Sequence, residues 1–287
     1  MTPLAFYFVA LAGVLGLAIG SFLNVVAYRV PAGVSLLRES RCMSCESKVP
    51  PSLNIPVLGW VLLRGRCATC GRPISARYPM VEALAGLAFA AVTFWLVVPV
   101  AGAPGSSRGV PIAVGTTEAF GVAAIAAAYL YLASISIVLT IIDLDTHRLP
   151  NVIVLPSYIV AAALLAAGSA LTGDWVALLR GALVMTGLYI FYWVLRLIRP
   201  DGMGGGDVKL AGVLGLYLGY AGWGASIVGA FAAFFLGGVF GVALMLVKRA
   251  DRRSAIPFGP WMILGTWMGL LFGEPLARWY VELFIVT

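Results

Sequence analysis

The stretch EAFGVAAIAAAYLYLASISIVLTIIDLDTHRLPN, residues 118–151, runs without a charge from Ala119 to Ile142 and then meets two aspartates, Asp143 and Asp145. Such a run is long enough to cross a bilayer as a helix. An ionisable group at membrane depth is costly, so Asp143 is a functional-site candidate by position alone. A second aspartate, Asp207, closes the glycine-rich segment Met203-Gly204-Gly205-Gly206-Asp207. Two carboxylates are the minimum set for acid/base hydrolysis.

The rest of the chain has the same character. Of 287 residues 61% are hydrophobic and 11% charged, with a mean hydropathy of +0.99, which excludes an ordinary soluble domain. The expected fold is all-α and polytopic, with eight membrane spans at about 4–28, 80–101, 118–142, 152–171, 175–198, 208–221, 224–247 and 258–273. The first run is read as a span and not a cleaved signal, because it lacks a basic leading segment and is too long.

Basic residues orient the bundle. Placing the segment 29–79 in the cytoplasm puts Arg29, Arg38, Arg41, Lys48, Arg64, Arg66, Arg72 and Arg77 there, and alternation adds Arg148, Arg196, Arg199, Lys209 and the tract Lys248 to Arg253. Only Arg108, Arg180 and Arg278 of the 19 Lys and Arg fall outside. Both termini then face outward, and Asp143 and Asp207 lie near the cytoplasmic ends of their helices. The net charge of +7 is spread over membrane-flanking loops. It fits topology and anionic lipid headgroups, and no nucleic acid partner is expected.

Between the first two spans lies a polar segment holding all four cysteines as Cys42-x2-Cys45 and Cys67-x2-Cys70. Two such knuckles can converge four thiolates on one tetrahedral zinc ion. Disulfides are the rival reading, which a reducing cytoplasm disfavours. An insert with six prolines and one short apolar stretch, Ile55 to Leu63, buries little core, so a metal supplies folding energy.

Two aspartates sharing a proton supply both a base and an acid for peptide hydrolysis. No nucleophilic serine or cysteine is apparent, and the sole histidine, His147, reads as a solvated interface residue. Gly204, Gly205 and Gly206 allow a substrate backbone to approach and pair with main chain beside Asp207. The plainer reading of Asp207 is a helix cap. Asp143 and Asp145 would project about 200 degrees apart on a helix, so only one can face a given partner. Asp143 continues the apolar helix, whereas Asp145 reads as loop or interface. Gly215-x3-Gly219 and Gly237 or Gly238 to Gly241 read as helix-packing positions, and Trp60, Trp175, Trp193, Trp223, Trp261 and Trp279 as interfacial anchors.

In order along the chain, Gly20-Ser21-Phe22-Leu23-Asn24 through Arg29-Val30-Pro31, the double CxxC with Gly71-Arg72-Pro73-Ile74-Ser75 and Arg77-Tyr78-Pro79-Met80-Val81-Glu82, Asp143 with Pro150-Asn151, Gly202 to Leu210, and Ile256-Pro257-Phe258-Gly259-Pro260 resemble the type IV prepilin peptidases. These are also called leader peptidase/N-methyltransferases. The resemblance implies cleavage of the basic leader from prepilins and pseudopilins at the cytoplasmic face of the bacterial inner membrane. It makes Asp143 and Asp207 the catalytic pair and selects Asp143 over Asp145. Cys42, Cys45, Cys67 and Cys70 become the cysteine set of the cytoplasmic domain. It also implies N-methylation of the new terminus with S-adenosylmethionine, although no glycine-rich turn after a strand marks a donor pocket. The implied organisation is a first helix at 1–28, a zinc domain at 29–79 and a transmembrane peptidase domain at 80–287. Glu82 and Asp201 are expected to attract the basic leader from the interface. A proton- or cation-coupled transporter and a non-catalytic scaffold with zinc knuckles are the competing classes.

Overall fold

The computed structural model describes residues 3–97, 115–246 and 257–284. Arg108 and the tract Lys248 to Arg253 lie outside them, as does the side chain of Asp201. The regular elements are helices α1 (Pro3–Arg29), α2 (Leu58–Leu62), α3 (Arg77–Val97), α4 (Thr116–Thr146), α5 (Asn151–Thr172), α6 (Trp175–Ile198), α7 (Gly205–Ala221), α8 (Trp223–Leu246) and α9 (Gly259–Phe284). Six of them, α1, α3, α4, α5, α6 and α8, are long and apolar enough to cross a membrane. The all-helical, multi-pass expectation is met.

Each expected span has a helix at its place, but two helices fall short as independent spans. Helix α7 has 17 residues, and every residue from Leu210 to Ala221 is buried, so protein and not lipid surrounds it. Helix α9 runs on to Phe284 through Glu274, Arg278 and Glu282, which dilute its apolar character. At the end of α4 the helix continues past Asp143 to Thr146. His147 then caps it in the left-handed conformation (φ 52°), its N–H donating to the Asp143 carbonyl at 2.8 Å. Asp145, expected in loop or interface, is therefore on the last helical turn. The helical offset does separate the two aspartates: Asp145 is exposed while Asp143 is 4% exposed.

The chain divides into two packing units. The first comprises α1, the insert, α3 and Tyr129–Val138 of α4; the second comprises the two ends of α4 and α5 to α9. In the first, α1 and α3 pack so closely that a Cβ on Gly16 would lie 2.5 Å from the Ala85 carbonyl oxygen. In the second, α7 is the hub, packing on α5, α6, α8 and α9. A Cβ on Gly219 would lie 2.6 Å from the Arg180 carbonyl oxygen, and one on Gly215 would lie 2.9 Å from that of Val184. Gly215-x3-Gly219 is thus a packing seam, whereas Gly238 faces open space.

Candidate active site

Asp143 sits three residues before the end of α4, and Asp207 is the third residue of α7. Both belong to the second unit. The Gly259 N–H, at the start of α9, donates to Asp143 Oδ2 at 3.1 Å. The Gly204 N–H donates to Asp207 Oδ2 at 3.0 Å, so Asp207 does cap its own helix from the first turn. The two carboxyl groups lie within electrostatic reach of each other.

Three chain segments meet here because of what is missing from their side chains. A Cβ on Gly206 would lie 2.8 Å from Leu149 Cβ, and one on Gly259 would lie 2.7 Å from Asp143 Oδ2. Leu149 therefore fills the space between the starts of α7 and α9, directly after the helix that carries Asp143. Further bonds hold the arrangement. Lys209 Nζ donates to Asn151 Oδ1 at 2.9 Å, and Tyr158 Oη donates to the Lys209 carbonyl at 2.6 Å, joining α5 to α7. An aromatic group closes one side, with ring centroids 5.4 Å apart for Tyr192–Phe234 and 5.5 Å for Phe234–Phe258. The Tyr192 phenol also lies within electrostatic reach of Asp207.

The glycines differ from expectation. Gly205 and Gly206 lie in the first turn of α7, so the extended main chain beside Asp207 is limited to Met203 (φ −150°, ψ 130°) and Gly204 (φ −70°, ψ 150°). Gly205 instead lets the Arg196 guanidinium close in, since a Cβ there would lie 2.7 Å from Nη1. Gly259, Leu149, Lys209 and Tyr192 went unassigned from the sequence. Gly259 and Lys209 carried a signal, as members of Ile256-Pro257-Phe258-Gly259-Pro260 and of the stretch Gly202 to Leu210, whereas Leu149 and Tyr192 carried none.

In the first unit, Glu82 is 9% exposed, and its Oε2 accepts the Val57 N–H at 2.7 Å. The sequence reading places this carboxylate at the interface, facing a basic leader. This carboxylate is turned inward and fixes the insert to α3. Arg29 is likewise buried and donates to the Leu36 carbonyl at 2.9 Å and the Glu39 carbonyl at 3.2 Å, shaping the approach to the first knuckle. Trp60, expected as a membrane anchor, spends its indole N–H on the Ile74 carbonyl at 3.0 Å.

The four cysteine sulfurs lie within 4.8 Å of one another, with Cys42 Sγ and Cys70 Sγ 3.9 Å apart. Tetrahedral zinc with bonds of about 2.3 Å sets its sulfurs about 3.8 Å apart, so the cluster fits that ion. The two knuckles repeat one local geometry. Cys42 N–H donates to Ser47 O, Cys67 N–H donates to Arg72 O, and each second cysteine precedes a left-handed residue, Glu46 (φ 56°) and Gly71 (φ 69°). Backbone N–H groups of Cys70 and Thr69 hold the Cys67 thiol down at about 6. The Cys70 thiol is pushed up to about 11 by desolvation and its neighbouring sulfurs, against the pull of the Arg72 N–H. Four crowded thiols resist ionising together, and a dication removes that resistance.

Comparison with known proteins follows the same division. Residues 14–96 match the bacterial peptidase A24 N-terminal domain, and residues 130–242 match the type IV leader peptidase family. A prepilin leader peptidase/N-methyltransferase of Aeromonas hydrophila is 32% identical, over 98% of this chain and 97% of that protein. One from Stutzerimonas stutzeri is 31% identical over 98% and 95%, and one from Bacillus subtilis 27% over 94% and 96%. No solved structure matches the chain. With its two family regions in order and its relatives aligned nearly end to end, the chain belongs to the type IV leader peptidase family.

Proposed function

We propose that this protein cleaves the basic leader from prepilins or pseudopilins at the cytoplasmic face of the bacterial inner membrane, with Asp143 and Asp207 as the catalytic pair, and then methylates the new N-terminal amine. The family and the relatives' names support peptidase and methyltransferase activity. The observation that carries the reading of the pair is their placement: two carboxyl groups from different helices, each accepting one backbone N–H, at adjoining helix ends. A water between them loses its proton to the ionised partner and attacks the scissile carbonyl, while the protonated partner gives its proton to the leaving amine. Close like charges keep one proton on the pair.

The substrate fits this position. A prepilin offers a basic leader on the cytoplasmic side followed by an apolar helix, so its scissile bond lies at the interface, where the charge asymmetry puts the ends of α4 and α7. Its backbone pairs with Met203 and Gly204, while Gly205 and Gly206 fix the start of α7 beneath them. Cys42, Cys45, Cys67 and Cys70 hold one structural zinc, so residues 29–79 form a metal-stabilised domain between the helix of 1–28 and the peptidase domain of 80–287. S-adenosylmethionine supplies the methyl group when bound. A transporter would set its carboxylates near mid-membrane on broken helices, whereas these two lie at helix ends.

The test is a product mass. Purified enzyme with one prepilin, with and without S-adenosylmethionine, should give the shortened chain without the donor, and the same chain heavier by one methyl with it. An intact prepilin sinks the peptidase reading. An unmethylated product with the donor present sinks the second activity alone.

A further inference from the structure

The insert exposes an apolar face that neither the zinc cluster nor the peptidase reading uses. On α2, Leu58, Val61 and Leu62 are 58%, 55% and 69% exposed, and Ile55 just before it is also exposed. Spacing of i, i+3 and i+4 puts these three side chains on one side of the helix. The other side is engaged. Gly59 is buried against the Leu53 carbonyl, and the Trp60 indole lies over Gly65 with its N–H on Ile74.

The backbone is held in this orientation at a cost. Val57, the residue before α2, has φ +60°, and Arg64, just after it, has φ +51°. A branched residue in that region is an outlier, and such strain persists only where surrounding contacts over-determine it. Here the contact is the Glu82 carboxylate on the Val57 N–H. Glu82 lies five residues into α3, about 7.5 Å along that helix from Arg77 at 1.5 Å per residue. The tether is level along the helix axis with Met80 and Leu84, whose apolar side chains are exposed on the other side of a membrane-length helix. Arg64 and Arg66, both exposed, follow the apolar face directly.

We propose that α2 is an interfacial wedge: Leu58, Val61 and Leu62 enter the headgroup and acyl boundary of an anionic leaflet, and Arg64 and Arg66 engage its phosphates, so that the cysteine knuckles stand on the bilayer surface. Three observations converge on lipid as the occupant. The tether sets α2 at the axial level of the first turns of the membrane-length helix α3, its flank is basic, and its orientation is fixed by a carboxylate on that helix itself. The proposal rests on the membrane-crossing character of α3 and not on the catalytic pair.

The experiment uses the full-length protein in nanodiscs, with p-benzoylphenylalanine placed at Leu62 or, as a second site, at Val61. A control carries it at the exposed Thr69 of the second knuckle. After irradiation, the position 61 and 62 variants should give phospholipid adducts by mass at least tenfold above the Thr69 control in phosphatidylglycerol discs. Arg64→Glu with Arg66→Glu should reduce that yield several-fold there and leave it unchanged in phosphatidylcholine discs. Each variant is first shown to retain its zinc and its elution volume. Adduct yields at both positions no higher than at Thr69 overturn the proposal. So does crosslinking to a second copy, or to an added prepilin in place of lipid.

Discussion

The cysteine insert and the aspartate site are built in opposite ways. In the insert the ligands come as two short repeats, each folding its own knuckle through bonds that span five residues or fewer, such as Cys42 N–H to Ser47 and Cys67 N–H to Arg72. At the aspartates nothing is local. Asp143 with Leu149, Asp207 and Gly259 come from three stretches of chain and meet only once α4, α7 and α9 have packed. A metal site made of local turns can be read from spacing, and its geometry survives so long as the ion binds. A dyad made by packing depends on small volumes far from either carboxylate.

The contrast breaks first at the carboxylates. Asp143→Asn and Asp207→Asn each remove a proton-transfer partner while changing little volume. Leader cleavage should fall at least about 10⁴-fold in either, with the melting transition retained. Single-turnover assays on the purified variants check this. Cleavage within tenfold of wild type in either variant removes it from the mechanism.

Packing comes next in size. Gly206→Ala sets a methyl 2.8 Å from Leu149 Cβ, and overpacking of this kind costs about 1–3 kcal/mol. Cleavage should drop roughly 5- to 150-fold, and Leu149→Gly in the same chain, which removes the Cβ that the new methyl meets, should recover most of it. A double variant no better than the single one would show that Leu149 does not set the spacing of the site.

For the insert, Cys67→Ser should lose the single zinc and turn residues 29–79 protease-sensitive, read by metal analysis and limited proteolysis. Acid should do the same by competition. Zinc is held by thiolates, so protons compete with it for all four sulfurs, and zinc retention should fall as pH is lowered and not as it is raised. Zinc retained in the Cys67→Ser protein would mean that the four sulfurs do not act as one site.

How much of this was legible follows from the same division. The CxxC spacing announced the four-cysteine cluster, and the apolar periods placed the long helices of the described residues, because both signals are written over a few neighbouring residues. The 200-degree argument separated Asp143 from Asp145, although the helix outlasted the apolar run and took Asp145 with it. What could not be read was set by three-dimensional closeness. Leu149 looks like an ordinary loop leucine, and Gly205 looks like part of a flexible run rather than a seat for Arg196. Glu82 reads as an interface charge until its partner, 25 residues earlier, is known.

Glu82 carries the smallest predicted effect and sharpens the comparison most, because its long-range bond to Val57 ties the local insert to α3. If the carboxylate is an anchor, Glu82→Leu removes the acceptor for the Val57 N–H. Hydrogen bonds to charged groups contribute about 1.5–3 kcal/mol, so amide exchange across residues 55–66 should rise by roughly tenfold or more. Glu82→Gln keeps an acceptor oxygen without the charge and should loosen the same segment less. If the carboxylate instead drew in a basic leader, the loss of charge alone would matter, and both variants would raise KM equally for strongly basic leaders while exchange stayed constant. The buried position, the 2.7 Å bond and the strained Val57 backbone all favour the first pattern. Exchange that distinguishes Leu from Gln at position 82, with KM unchanged in both, identifies the anchor; the reverse result returns Glu82 to the substrate.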